Sequence, residues 1–138
     1  NFDISNWHVS KVTSMANLFE GLANFNVDIG NWDTGRVQDM SSIFRGASRF
    51  NADISKWNTH NVQSMKLAFS SATSFNSTLD TWNTAKVTSM RYMFWNAQTF
   101  DQDISNWDVG RVTDMLSMFY STIPLPERLQ VGFTTTCQ

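Results

Sequence analysis

The chain is poor in the residues on which small cross-linked or catalytic domains depend. Its 138 residues include one cysteine, two histidines and two prolines, and charged side chains make up 16% of the total. Cys137 has no partner within the chain, so no internal disulfide can form and the fold must be stabilised by packing. The net charge of −2 creates no field that would favour nucleic acid or an anionic membrane.

Motifs that carry chemistry are also scarce. His8 and His60 occupy different positions of the repeat described below, which argues against a Ser–His–Asp triad or a histidine–metal site. The six glycines are scattered and form no phosphate-binding loop. No apolar run reaches membrane-spanning length, and no signal peptide is present. We therefore expect a protein that is not an enzyme, has no cofactor or nucleic-acid partner, and inserts no part of this segment into a membrane.

What the chain has instead is a 25-residue period that runs without insertions. Four columns of identical residues define it: Trp7, Trp32, Trp57, Trp82 and Trp107; Val12, Val37, Val62, Val87 and Val112; Met15, Met40, Met65, Met90 and Met115; Phe19, Phe44, Phe69, Phe94 and Phe119. A second phenylalanine column and an aliphatic column keep the same period: Phe25, Phe50, Phe75 and Phe100; Ile4, Ile29, Ile54, Leu79 and Ile104. These columns predict stacked coils whose equivalent side chains form one continuous core.

Each period predicts one short helix and one short strand. Met40, Ile43, Phe44 and Ala47 fall at positions i, i+3, i+4 and i+7, which is one face of a helix. The residue before each column methionine is Ser or Asp, and both are good N-caps. The other half of the period is extended, with a strand expected around residues 26–32. The predicted fold is an α/β repeat solenoid of about five coils, each with a short parallel strand and a two-turn helix.

The period also predicts the domain boundaries. Residues 1–122 form one continuous repeat domain, and residues 123–138 leave the period. Pro124 and Pro126 prevent another helical turn there, so we interpret this tail as a C-terminal cap or a linker. Because the chain opens at Asn1 in the middle of a repeat, we expect it to be a piece of a longer protein.

Three polar columns allow both structural and functional interpretations. They are an asparagine, an aspartate and a basic column: Asn1, Asn26, Asn51, Asn76 and Asp101; Asp3, Asp28, Asp53 and Asp103; Lys11, Arg36, Lys86 and Arg111. The asparagines could hydrogen-bond successive coils as a ladder. Each aspartate could cap its own turn, or the column could hold calcium. The basic column could grip an acidic glycan or could simply be solvated. In each case we favour the structural interpretation.

Two further features carry weaker hypotheses. Thr34, Thr59 and Thr84 form a column that could order water or bind ice, which we rank low because no second threonine column lies beside it. Asn76, Ser77 and Thr78 make an N-glycosylation sequon, which matters only for a protein secreted by a eukaryote.

The repeated phrase V-T-x-M-x-x-M-F-x-x-A-x-x-F-N-x-D-I-S-x-W resembles the repeat of BspA-like surface proteins, which also occurs in mycoplasma lipoproteins and protist proteins. It is similar to a distant, Treponema-type branch of the leucine-rich repeats. The resemblance covers residues 1 to about 122, with a departure at Thr78, where the phrase has Asp. It implies leucine-rich-repeat-like coils, an extracellular or cell-surface location, and adhesion-like binding to a protein or matrix. It carries over no catalytic residues.

The sequence therefore predicts a non-enzymatic interaction module that binds a protein or a surface glycan. The alternative is a structural subunit of a larger assembly. Positions that vary between coils can recognise a partner, and aromatic and arginine side chains are common interface anchors. Arg91, Tyr92, Trp95 and Tyr120 meet both conditions, and we predict that they form an exposed binding patch. The competing interpretation is that Trp95 and Tyr120 pack beneath the proline-rich tail.

Overall fold

The 25-residue period of the sequence is also the period of the structure. A computed structural model describes residues 2–122. The predicted cap or linker at residues 123–138, with Cys137, lies outside the described residues, as does Asn1. The described chain forms five coils, which we number in chain order: coil one is 2–25, coil two 26–50, coil three 51–75, coil four 76–100 and coil five 101–122. Residues 25 positions apart lie on one another along the stack.

The core consists of stacked rings, as the columns predict. Within a coil the two phenylalanines lie face to face, with ring centroids 3.8 Å apart for Phe44 and Phe50. Between coils, Phe44 and Phe69 are 5.5 Å apart. The tryptophans from Trp7 to Trp82 repeat at 6.4 Å with interplanar angles of at most 6°. Each ring therefore has a partner in the coil before or after it. The prediction that the core continues from coil to coil is confirmed.

Tryptophan is needed in its column because it also makes a hydrogen bond. The indole Nε1 of Trp57 donates to the Ile29 carbonyl of the preceding coil at 2.9 Å, in a site that is buried. The same bond occurs at each of the other three steps of the stack, from Trp32 to Ile4, Trp82 to Ile54 and Trp107 to Leu79. No other large apolar side chain could fill the column and satisfy a buried carbonyl at the same time.

The predicted helices do not form. Residues 2–122 contain no helix, and the segment that follows each column methionine is a series of turns. Its N–H groups alternate between two kinds of acceptor. In coil one, Leu18 and Glu20 bond within the turn, to the carbonyls three residues earlier. Asn17 and Phe19 bond instead to carbonyls of coil two, Ser41 and Ile43, at 2.9 and 3.0 Å. In this segment about half of the backbone N–H groups therefore hydrogen-bond to the next coil.

Left-handed residues make this alternation possible. Two positions in each coil have positive φ: Asn17, Ser42, Leu67, Tyr92 and Ser117; Gly21, Gly46, Ser71, Asn96 and Ser121. A left-handed residue breaks an α-helix, because helical backbone requires negative φ. Glycine and asparagine adopt this conformation readily. Leu67 and Tyr92 do not, and they adopt it at a cost of about 1–2 kcal/mol each.

The predicted strands are wrong as well. Extended pairing within residues 2–122 is limited to isolated parallel bridges between Ser14 and Asp39, Asp39 and Ser64, Ser64 and Ser89, and Ser89 and Asp114. The segment at 26–32, where a strand was expected, contains none. The prediction of an α/β repeat solenoid, with a strand and a two-turn helix in each leucine-rich-repeat-like coil, is therefore overturned. The helical spacing did identify the buried face correctly, since Met40, Ile43, Phe44 and Ala47 are all fully buried.

Two columns of polar side chains, the asparagines and the threonines, also form hydrogen bonds between neighbouring coils. The amide Oδ1 of Asn26 accepts the backbone N–H of Asn51, and Asn51 and Asn76 repeat this bond to the next coil, each at 2.8 Å. The asparagine ladder is thus confirmed for the described residues, with a side chain bonded to backbone rather than to a second amide. Thr34, Thr59 and Thr84 are buried, and their hydroxyls donate to carbonyls of the following coil. This threonine column therefore presents no surface to water or ice.

Replacement of Trp57 by Ala should destabilise the fold by ~3–5 kcal/mol, the range for large aromatic truncations in a core. The change removes the stacking contacts with Trp32, Trp82 and Phe44, and it leaves the Ile29 carbonyl with the Trp32 backbone N–H but without its side-chain donor. Trp95→Ala should cost about 1 kcal/mol, because it removes one stacked pair at the surface. Urea unfolding of the two variants provides the measurement. Equal losses would contradict this assignment of core and surface.

Replacement of Ser71 by Gly should stabilise the protein by about 0.5–1 kcal/mol, because Ser71 has a φ of 56° and glycine occupies the equivalent positions in coils one and two. Ser74→Gly is the matched control, since Ser74 is exposed and is not left-handed. The control should lose roughly 0.5–1 kcal/mol. Thermal unfolding of both variants tests the left-handed turn, and a loss of stability in Ser71→Gly would contradict it.

Candidate functional site

The predicted patch lies on the turn face, which is the side of the stack formed by the residues that follow each column methionine. Trp95 on coil four and Tyr120 on coil five stack with ring centroids 6.3 Å apart and an interplanar angle of 9°. They are 37% and 62% exposed, while most large apolar side chains in the described coils are buried. The structure thus brings these two predicted residues together at the surface. The tail that could pack over them lies outside the described residues, so that alternative stays open.

Arg91 and Tyr92 form the second half of the patch. The Arg91 guanidinium carbon lies 4.9 Å from the centroid of the Tyr92 ring, a cation–π distance. Arg91 also lies 3.5 Å from a carboxylate oxygen of Asp114. The Tyr92 hydroxyl above all, with a smaller contribution from Asp114, raises the pKa of Arg91 above its usual value. The contacts with Tyr92 and Asp114 place the charged guanidinium beside the Tyr92 ring.

A groove that sequence reasoning missed borders this patch. It has a volume of about 340 Å³. Its lining residues are Arg45, Leu67, Ser70, Ser71, Tyr92 and Trp95. The groove exists because the side chains at one repeat position of the turn face differ in size from coil to coil. This column consists of Glu20, Arg45, Ser70, Trp95 and Tyr120. The small side chain in this column, flanked by large ones, was the available signal.

The side chains of the aspartate column form hydrogen bonds with the backbone of their own turns. The Oδ1 atoms of Asp3, Asp28, Asp53 and Asp103 each accept the N–H two residues later at 2.9–3.0 Å. This is the turn cap that we favoured. A groove of about 400 Å³ between coils two and three includes Asp28 and Asp53 in its lining, but both carboxylates already hold their own turns. No group of three His, Cys, Asp or Glu side chains that could hold a metal occurs within residues 2–122.

Hydrogen bonding lowers the pKa of two carboxylates in this column. For Asp53 the main cause is the backbone N–H of Ser55, followed by the Ser55 hydroxyl. For Asp3 the main cause is the Ser5 hydroxyl at 2.7 Å, followed by the Ser5 backbone N–H. Both groups donate to the charged form and so favour it.

The basic column forms a separate exposed row. Lys11, Arg36, Lys86 and Arg111 are all exposed, and none makes an ion pair with any residue in the range 2–122. Lys86 bonds Asn61, which fills the gap in the column, at 2.9 Å. The row lies apart from the predicted patch, since none of its residues lines the turn-face groove.

The sequon contributes to the contacts between coils. The Oδ1 atom of Asn76 accepts the backbone N–H of Asp101 at 2.8 Å. Ser77 donates to the Asn51 carbonyl, and Thr78 donates to Asp80. Asn76 is exposed, so its glycosylation remains a hypothesis that depends on the source.

These features define a protein built of stacked 25-residue repeats with an exposed aromatic patch. The chain belongs to the family described as "Mycoplasma protein of unknown function, DUF285", which matches residues 1–83 and, in a second and overlapping match, residues 24–131. This relationship fits the mycoplasma part of the resemblance. Comparisons with curated proteins and with solved structures gave no match. Within the described coils there is no helix that could cross a membrane.

The stability of the protein should fall in acid partly because of Asp53. A carboxylate whose pKa is lower in the folded state contributes stability that is complete above the unfolded pKa of about 3.9. That contribution is lost as the pH falls through the lower folded pKa. Asp53→Asn can still accept the Ser55 N–H but cannot titrate, so its stability should fall less steeply below about pH 4. Urea unfolding at several pH values measures the difference.

Ser55→Ala is the matched control for this experiment. It removes the Ser55 hydroxyl but keeps the backbone N–H, which is the larger cause of the shift. It should therefore keep most of the acid dependence of the natural chain. An identical acid dependence in Asp53→Asn and the natural chain would contradict the assignment.

Proposed function

We propose that this chain is a non-enzymatic interaction module that is displayed at a cell surface and binds a protein partner or a surface polymer. The observation that carries the proposal is the stacked pair of Trp95 and Tyr120, which remains exposed in a column that is otherwise polar. Exposed aromatic side chains next to an arginine are typical of binding hot spots. Arg91 supplies that neighbour through its contact with Tyr92.

The surface location rests on the resemblance of the repeat to BspA-like surface proteins and to mycoplasma lipoproteins. Membership of the DUF285 family supports the mycoplasma relationship and assigns no activity. The scaffold favours recognition, because each coil presents the same positions and the residues that vary can be read side by side. Among the variable positions of the turn face, the exposed aromatic side chains Trp95 and Tyr120 lie on coils four and five, so we place the binding site there.

The alternative of a structural subunit has its own observation. Coil one exposes Trp7 at 59% and Leu22 at 50%, and these side chains are equivalent to buried residues of the later coils. An apolar end of this kind could pack against another subunit or another coil. Sedimentation analysis separates the two proposals, because a monomer at micromolar concentration would speak against the subunit.

The test uses the double variant Trp95→Ala/Tyr120→Ala and a panel of immobilised matrix proteins and acidic polysaccharides. Binding by the natural chain to one member of the panel should weaken by about tenfold or more in the variant, the loss that truncated hot spots cause. The matched control is Lys86→Ala/Arg111→Ala, which changes the basic row on the same two coils.

The control should bind as the natural chain does. If the control loses binding and the aromatic variant keeps it, the basic row is the binding surface and the aromatic patch is not. Loss of unfolding cooperativity in either variant would show up in a melting curve, which should be recorded first.

A further inference from the structure

A single small residue interrupts the exposed column that contains the aromatic pair. Ser70 is 2% exposed and stands in coil three, between Arg45 of coil two and Trp95 of coil four. Among the described residues Trp95 stacks on Tyr120, which lies on its coil-five side. On its coil-three side the neighbour in the column is a hydroxymethyl group. One face of the indole therefore borders the turn-face groove, which Trp95 and Ser70 both line.

Ser70 leaves this column without a large side chain at coil three. Backbones paired in a parallel ladder lie ~4.8 Å apart, so Arg45 and Trp95 are separated by about two such steps. A planar group placed halfway would lie about 4.8 Å from each of them, which is within the 4.5–7 Å range of stacked aromatic pairs. The groove volume of about 340 Å³ falls at the lower end of the roughly 300–1,000 Å³ typical of ligand pockets.

The two walls favour an aromatic ring over a sugar ring. Trp95 could stack on either kind of ring, since both have a flat apolar face. Arg45 lines the opposite wall of the groove, and a guanidinium gains its cation–π attraction only from an aromatic π face. Tyr92 and Leu67 also line the groove and contribute apolar surface.

The charges around the groove favour an acidic neighbour for that ring. Arg45 lines it, and Lys66 and Arg91 immediately precede its lining residues Leu67 and Tyr92. Two of these three cations are paired, Arg45 with Glu20 at 2.9 Å and Arg91 with Asp114 at 3.5 Å. Lys66 is exposed and has no ion-pair partner within residues 2–122. The surroundings thus carry a surplus of positive charge in a chain whose net charge is negative.

We propose that the groove over Ser70 is a stacking slot for one aromatic side chain of an acidic peptide segment in the partner protein. The inserted ring completes the column between Arg45 and Trp95, and carboxylates on either side of it meet Lys66 and Arg91. This inference rests on the proposed function, because it names the chemistry of the partner that the aromatic patch would bind.

Three blocked tripeptides serve as probes: Glu-Phe-Glu, Glu-Leu-Glu and Lys-Phe-Lys. Each is titrated into the natural chain, and the NMR signal of the Trp95 indole N–H, assigned with Trp95→Phe, is followed. Glu-Phe-Glu should bind at least about tenfold more tightly than either of the others. A glucuronate oligosaccharide is the fourth probe, and it should leave the signal unchanged.

The variant Ser70→Tyr fills the slot from within, and Tyr120 shows that the same column accepts a tyrosine. It should reduce the affinity for Glu-Phe-Glu by at least about tenfold. Because Ser70 is buried and the larger side chain could destabilise the fold, Trp95→Ala is the second variant, and it should lose at least as much affinity. Ser74→Tyr is the matched control, because Ser74 is exposed on the same coil as Ser70 and does not line the groove. It should bind the peptide within about threefold of the natural chain.

Equal binding of Glu-Phe-Glu and Glu-Leu-Glu, no binding of either, or a response to glucuronate alone would each overturn the slot. An unchanged peptide affinity in Ser70→Tyr would do the same. These outcomes are distinguishable from failure of the proposed function. If the proposed function itself failed, Trp95→Ala/Tyr120→Ala would leave every interaction with the matrix panel intact.

Discussion

The structure depends on the tryptophan of each coil, which packs on its equivalents and also donates its indole N–H to the coil before it. Stacking alone would tolerate rotation or sliding of one coil over the next. The bond from Trp57 to the Ile29 carbonyl sets the register, because this buried bond would break if the coils shifted. Four such bonds, one at each step of the stack, keep the period at 25 residues.

Regular secondary structure is absent from the described coils because the backbone hydrogen bonds are needed between coils. A helix satisfies its own donors and would offer none to its neighbours. Here each coil has two left-handed residues four positions apart, such as Asn17 and Gly21, and alternate N–H groups around them point toward the next coil. The conformational cost at Leu67 and Tyr92 is offset by the bonds that this arrangement creates and by the aromatic column behind them.

The columns of the sequence predicted the core, its continuity and the asparagine ladder, because a strict period leaves few ways to bury the same residues. The backbone was not predictable from the same signal. The same spacing places side chains on one side of a helix and on one side of this series of turns, as it does for Met40, Ile43, Phe44 and Ala47. The column of Gly21, Gly46, Ser71 and Asn96 held the missing information, since small and amide residues there indicate positive φ. At the site, the aromatic patch followed from residue type, whereas the groove depended on the size of Ser70 relative to its neighbours.

The hydrogen bonds between coils also determine how the molecule would respond to force. They run along the stack while the chain runs across it, so tension applied to the chain ends would load one coil at a time. An end coil that detached would release 25 residues, or about 85 Å of extended chain, and the next coil would then carry the load. A surface tether of this construction would lengthen in steps and absorb work at each one, while the coils that remained stacked kept their rings and their bonds.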